Sequence, residues 1–341
     1  MMKSSNLKRT FVIAEAGVNH NGDMGLARQL VDEAKRAGAD AVKFQLFRSE
    51  DLVVKNAPKA AYQERDQSTG QFEMLKRLEL SFEKQMELSR YSTKIGITFM
   101  TSAFDASSLR LLPELGVTRI KIPSGEITNL PYLCEAARLP HEQIILSTGA
   151  SDLEEVANAV DLLVSSGVKR EKLVLLHCNT EYPSPLQDVN LLAMTTMARE
   201  FSVAVGYSDH TLSLTLPAVA TALGASCIEK HFTLDKSMPG PDHAASLTPD
   251  ELASMIKAVR ETEVILGHAK KQPSPSEMKN RDIVRKSLVA KSKIRRGESF
   301  SDENVTAKRP GTGMSPMTWK DLLGKTATRD YDVDDFIQEE S

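Results

Sequence analysis

The chain has 341 residues, with 43 Lys+Arg against 46 Asp+Glu and a formal net charge of −3. Hydrophobic residues make up 41% and charged residues 26%, an ordinary globular balance. The near-neutral charge excludes a generally basic surface of the kind that binds nucleic acid or anionic membrane, and at roughly 100–200 residues per domain the length predicts one large domain, or one large and one small.

Short β-type runs alternate with helical segments from the start. Residues 11–15 (Phe-Val-Ile-Ala-Glu) read as a first strand, and 24–37 as a helix ending near Gly38. Further strands are predicted over 40–45, 97–101, 118–122, 143–147, 173–177, 202–206 and 226–230. Each is followed by a helical pattern, such as 152–165 or 249–266. Strands alternating with helices imply a parallel sheet. Eight such units in about 265 residues predict a closed (β/α)8 TIM barrel rather than an open doubly wound sheet. Gly17, Gly22 and Gly25 lack the spacing of a dinucleotide-binding turn. Residues 46–81 make an unusually long polar connection, often a lid or an element between subunits.

The alternation stops after His268. Residues 269–282 are rich in Lys, Pro and Ser and read as a linker. The division expected is a barrel over 1–268, the linker, and a small domain of short strands and turns over 283–341. A tail of about 60 residues buries only a marginal core and depends on docking or oligomerisation.

No apolar run approaches the roughly 20 residues needed to cross a bilayer. Lys3, Lys8 and Arg9 precede an apolar run that Glu15 interrupts, unlike a signal peptide. Cys134, Cys178 and Cys227 are too few and too scattered for a disulfide framework or a zinc site. They are expected to be small buried hydrophobes in a reducing cytoplasm.

Catalytic groups of such barrels sit at the C-terminal strand ends. Here these ends are polar throughout: Glu15 with Asn19, His20 and Asn21; Lys43 and Gln45; Thr101 and Ser102; Lys121 and Ser124; Ser147 and Thr148. The later ends carry His177, Asn179, Thr180, Glu181 and Tyr182, then Ser208, Asp209 and His210, then Glu229 and His231. Burying so many polar groups unpaired would cost a few kcal/mol each, so they are expected to line a pocket. Lys43 and Lys121, with the hydroxyls of Ser102, Ser124, Ser147 and Ser208 and close backbone approach at Gly125 and Gly149, suit a phosphate or carboxylate. Alternatively the two lysines pair with Glu15 and Glu229. His210 and His231 end adjacent strands, about 4.8 Å apart, and can share one divalent ion, with Asp209 and Glu229 as outer or further ligands.

The same residues carry a resemblance. Ala14-Glu-Ala-Gly-Val-Asn-His-Asn-Gly22, Ala41-Val-Lys-Phe-Gln45, Lys121-Ile-Pro-Ser-Gly-Glu126 and Leu146-Ser-Thr-Gly149 belong to it. So do His177-Cys-Asn-Thr-Glu-Tyr-Pro183, Gly206-Tyr-Ser-Asp-His-Thr211, Glu229-Lys-His-Phe-Thr233, Pro239-Gly-Pro-Asp-His243 and Lys308-Arg-Pro-Gly-Thr-Gly313. In this order, over nearly the whole chain, they resemble the sialic acid synthase family.

The resemblance implies a TIM barrel followed by an antifreeze-like (SAF) domain. It implies condensation of phosphoenolpyruvate with N-acetylmannosamine, with water, to N-acetylneuraminate and phosphate. It implies a divalent metal ion, manganese first, with magnesium or cobalt as alternatives. It also implies a domain-swapped homodimer, with no nucleic-acid or membrane partner. Position by position, His210 and His231 look like the metal ligands. Lys43, Ser102, Lys121, Ser124, Ser147, Thr180 and Ser208 look like the phosphoenolpyruvate shell. Glu15, Gln45, Tyr182 and Asp242 look like the sugar shell, and Arg309 like an arginine reaching the sugar's N-acetyl group across the dimer. Lys43 and Lys121 would balance substrate charge, and Glu15 would serve in acid/base or ring-opening chemistry. Two departures stand out: Thr101-Ser-Ala103 replaces the family's usual Ser-Thr-Pro, and Ala150 replaces a usual Met.

Other readings remain. A legionaminate synthase would accept 2,4-diacetamido-2,4,6-trideoxymannose, and a pseudaminate synthase is a more distant option. A Schiff-base aldolase would use Lys43 or Lys121 as nucleophile. A non-enzymatic carbohydrate- or ice-binding protein would rest on the tail.

Overall fold

A computed structural model describes residues 9–61, 63, 66 and 68–338. Lys3 and Lys8, and the last three residues of the predicted small domain, lie outside them. The chain divides into two compact units, 1–268 and 269–341.

The first unit is a closed barrel of eight parallel strands in sequence order. They are β1 (Phe11–Gly17), β2 (Ala41–Leu46), β3 (Thr98–Ala103), β4 (Arg119–Ile122), β5 (Gln143–Ser147), β6 (Leu173–Cys178), β7 (Ala204–Asp209) and β8 (Cys227–His231). Side chains alternate between faces along each strand. Val12, Ala14, Val42 and Phe44 point outward under the helices and join the main core. Ile13, Ala41, Met100, Ile145, Val174, Leu176 and Cys227 form an apolar layer of their own inside the barrel. Two residues further along the strands, the same inward face carries Glu15, Lys43, Ser102, Ser147, Cys178 and Glu229. A polar tier therefore sits on an apolar floor.

Strand register keeps that tier level. Glu15 pairs with Lys43 and with His231. Ser102 pairs with Lys121, and Ser208 with Glu229. Gly206 permits the close fit of β7 against β8. A Cβ there would lie 2.2 Å from the Cys227 carbonyl oxygen.

Helix α1 (Met24–Ala37) shows how the outer elements are delimited. The Asp23 side chain accepts from the Leu26 N–H, and Gly38 takes the left-handed conformation at φ 87°. Strand seven begins two residues later than predicted. Ser202 adopts φ 52° and caps the helix Leu192–Phe201, so the strand cannot begin before it. The long connection over 46–81 contains two helices the sequence reading did not expect, α2 (Ser49–Leu52) and α3 (Gln71–Leu78). Met74 and Leu78, four apart on α3, are buried with Val18 and Phe47 in a small separate cluster.

The second unit holds an antiparallel pair, β9 (Ser287–Ala290) and β10 (Val305–Lys308). Leu288, Ile294, Phe300, Val305, Leu322, Tyr331 and Ile337 make its own core. The expected linker is corrected in part: Pro275–Val284 is a helix with no buried residue. Ser274 and Glu277 form a reciprocal capping box and Pro275 opens the first turn. The Pro and Ser that read as linker composition are helix-start chemistry. Among the described residues, no helix is long and apolar enough to cross a membrane.

Candidate active site

Glu15, Lys43, Gln45, Ser102, Lys121, Ser124, Ser147, Thr180, Tyr182, Ser208, His210, Glu229 and His231 line one cavity of about 210 Å³ at the C-terminal mouth of the barrel. Of the predicted site residues, Asp242 and Arg309 are absent from its lining. Asp242 instead lines an adjoining cavity of about 260 Å³, which shares Gln45, Phe104, Tyr182 and His231 with the first. Arg309 belongs to the second unit, where it is exposed and its Nε donates to the Val284 carbonyl at 3.0 Å.

Both lysines line the cavity and pair with the barrel carboxylates. Lys43 Nζ lies 2.8 Å from Glu15 Oε2 and 3.5 Å from Glu229 Oε2, and donates to Ser102 Oγ at 2.9 Å. Lys121 Nζ lies 3.6 Å from Glu229 Oε1, which also accepts from Ser208 Oγ at 2.9 Å. All four charged groups are buried. Burial would raise Glu229, but Lys121 and Lys43 outweigh it and hold the carboxyl down at about 2. Burial pushes Glu15 up to about 7, with Lys43 opposing. Burial would lower Lys43, but the Glu15 and Glu229 carboxylates keep it above its ordinary value, whereas burial lowers Lys121. Near neutral pH the cluster holds one firmly ionised carboxylate, one poised carboxyl and two amines. Two amines facing one firmly ionised carboxylate suit an anion.

Hydroxyl and amide donors surround this centre. Gly149 N–H donates to Ser124 Oγ at 3.0 Å, and a Cβ at 149 would fall 2.9 Å from that oxygen. Gly149 thus packs closely against Thr180, Ser124 and Cys178. Gly125 lines the cavity, and nothing lies within 4 Å of where its Cβ would be. Ser102 keeps a cavity-lining hydroxyl despite the departure at 101–103. Cys178, expected as a core cysteine, is buried and also lines the cavity, 3.4 Å from Ser124 Oγ.

His210 and His231 approach edge to face, with ring centroids 5.3 Å apart. Tyr182 stacks on His210 at 4.1 Å. His210 Nδ1 bonds the Asn179 carbonyl oxygen, which leaves its Nε2 toward Ser208 Oγ at 3.3 Å. His231 Nδ1 is buried with no hydrogen-bond partner, and Asp242 Oδ2 stands 3.8 Å away. Burial lowers His210 to about 4 and His231 well below its ordinary value, so both imidazoles are neutral. A buried, unbonded ring nitrogen facing a second neutral imidazole fits a divalent cation. Among the described residues no group of three or more His, Cys, Asp or Glu gathers for a metal.

Several polar strand-end residues serve the scaffold instead. Asp209, expected near the metal, pairs with buried Lys230 at 2.8 Å and accepts from Thr211 N–H. It follows inward-facing Ser208 by one position, so alternation turns it outward. Asn19 donates to the Phe232 carbonyl and Ser246 Oγ, His177 bonds the Val189 carbonyl oxygen, and Thr148 donates to the Leu176 carbonyl. The apolar side of the adjoining cavity was missed. Val18, Phe47, Leu52, Val53, Met74, Leu75 and Leu78 line it, and the only sequence signal was the length of the connection over 46–81.

Comparison with known proteins places this geometry in a family. Residues 30–271 match the NeuB family, and residues 285–338 match the SAF domain. The N,N'-diacetyllegionaminic acid synthase of Campylobacter jejuni is 48% identical over 335 residues, covering 98% of this chain and 100% of the relative. That of Legionella pneumophila is 48% identical over 320 residues, covering 92% and 89%. A crystal structure of the N-acetylneuraminic acid (sialic acid) synthetase of Leptospira borgpetersenii superposes with a TM-score of 0.72. It covers 81% of this chain and 91% of its own at 35% identity. The expectation of an N-acetylneuraminate synthase is therefore less well supported than its legionaminate alternative. The aldolase and ice-binding readings are set aside. The chain belongs to the NeuB family and is a phosphoenolpyruvate-dependent nonulosonic acid synthase.

Proposed function

We propose that the protein condenses phosphoenolpyruvate with 2,4-diacetamido-2,4,6-trideoxymannose, with water, to give N,N'-diacetyllegionaminate and phosphate. The observation that carries this reading is the 48% identity, over nearly the whole chain, to two legionaminic acid synthases.

Carbon 3 of phosphoenolpyruvate attacks the aldehyde carbon of the open-chain sugar. Carbon 2 of the enol phosphate then takes up water, and the tetrahedral intermediate expels phosphate. Lys43 and Lys121 hold the anionic donor, helped by Ser102, Ser124, Ser147, Thr180 and Ser208. Their charge offsets that of the carboxylate and phosphate and orients carbon 3 toward the adjoining cavity. Glu15, held near neutrality, exchanges a proton with the sugar. Gln45, Tyr182 and Asp242 line the sugar side. His210 and His231 would hold a divalent ion, manganese before magnesium or cobalt. When bound, it would polarise the aldehyde oxygen as a Lewis acid. Arg309 of one subunit would complete the sugar site of the other in a domain-swapped homodimer.

Phosphate release from phosphoenolpyruvate tests the reading, with the diacetamido sugar and N-acetylmannosamine supplied separately, with and without manganese. The diacetamido sugar is expected to be the better substrate, and chelation to stop turnover. Turnover with N-acetylmannosamine alone would replace the acceptor assignment.

A further inference from the structure

The cavity that Asp242 lines is built differently from the cation-lined one it joins. The shared wall, Gln45, Phe104, Tyr182 and His231, faces the reacting centre. Beyond it the polar lining narrows to Gln63, Gln71 and Asp242, and the Gln71 amide donates to Gln63 Oε1 at 3.2 Å. The remaining described lining is apolar, and Met74 and Leu78 are packed in the cluster with Val18 and Phe47. No Lys or Arg is among the described residues that line it.

An acceptor sugar must present its aldehyde to the donor in the cation-lined cavity. Its opposite end, carbons 5 and 6, then extends into the adjoining space. We propose that Phe47, Leu52, Met74, Leu75 and Leu78 form the subsite that reads carbon 6, and that they favour a methyl group over a hydroxymethyl. The proposal rests on the acceptor reading above for the direction in which the sugar lies. A methyl buries apolar surface against Met74 and Leu78. A hydroxyl there would exchange its water for thioether and hydrocarbon and find no donor or acceptor among the described apolar residues of that wall. An apolar pocket of this kind separates such near-isosteres by about 10–100-fold in kcat/KM.

Two sugar pairs that differ only at carbon 6 test this on the full-length, manganese-loaded protein. One is N-acetylmannosamine and its 6-deoxy analogue. The other is 2,4-diacetamido-2,4-dideoxymannose and its 6-deoxy analogue. Phosphate release should favour the 6-deoxy member by about 10–100-fold in each pair that turns over. Met74→Gln should shrink that ratio several-fold and leave the KM for phosphoenolpyruvate unchanged. Leu75→Gln, at a half-buried position on the same wall, provides the same readout should the Met74 variant fail to fold. Equal kcat/KM within the pairs overturns the proposal, as does an equal loss on both members in the variants. A 6-deoxy preference combined with rejection of the 4-acetamido sugars would leave this subsite standing and overturn the legionaminate reading instead. No phosphate from any of the four sugars would overturn both.

Discussion

Replacing Glu15 with glutamine probes the electrostatics of the inner cavity directly. Burial raises this carboxyl from 4.5 to about 7 in the folded protein. Between those values the folded chain binds more protons than the unfolded chain. Stability therefore falls as pH rises through that interval, and the loss is complete above it. At about 1.36 kcal/mol per pH unit, the displacement corresponds to about 3 kcal/mol. Glutamine has nearly the shape of the protonated acid and does not ionise. Urea unfolding of wild type and Glu15→Gln, followed at pH 5 and pH 8, should show the variant gaining about 2–3 kcal/mol on the wild type over that span. Parallel pH dependence in the two proteins would refute the raised value. That outcome would show that Lys43 dominates and holds Glu15 ionised throughout the span. The same substitution should remove the limb of the pH–rate profile centred near 7.

Three further substitutions bear on the site. Lys121→Met should raise the KM for phosphoenolpyruvate at least tenfold, measured by phosphate release, because Glu229 then faces the donor with Lys43 alone. His231→Ala should abolish turnover that depends on added divalent ion, and activity that persists in chelated buffer would defeat the metal assignment. Gly206→Ala should lower stability by about 1–3 kcal/mol in thermal or urea unfolding, since its Cβ would meet the Cys227 carbonyl and force β7 from β8.

The barrel was legible because its strands are short, apolar and separated by helices with clear end signals. Strand β5 and helix α1 fall where the pattern put them. The inward polar tier was legible because barrel geometry fixes which strand ends converge, so Lys43, Lys121, Ser102 and Glu229 could be grouped without coordinates. Which neighbour within a strand faces inward was harder. Asp209 reads like His210 in the sequence, yet alternation sends it to Lys230. Glu15 illustrates a further limit: proximity to Lys43 was foreseeable, but its position near neutrality depends on how completely both are buried. The apolar wall was hidden for a different reason. Met74 and Leu78 lie in a single short helix inside a polar stretch, too brief for a periodic signal. The capping box at Ser274 and Glu277 was present in the sequence and was masked by the Pro and Ser around it.

One competition experiment tests the assigned activity most directly. Equimolar 2,4-diacetamido-2,4,6-trideoxymannose and N-acetylmannosamine are supplied together with limiting phosphoenolpyruvate and manganese, and the two nine-carbon products are quantified by mass. Their ratio equals the ratio of kcat/KM values. Diacetyllegionaminate should exceed N-acetylneuraminate at least tenfold, whereas an excess of N-acetylneuraminate would contradict the assignment.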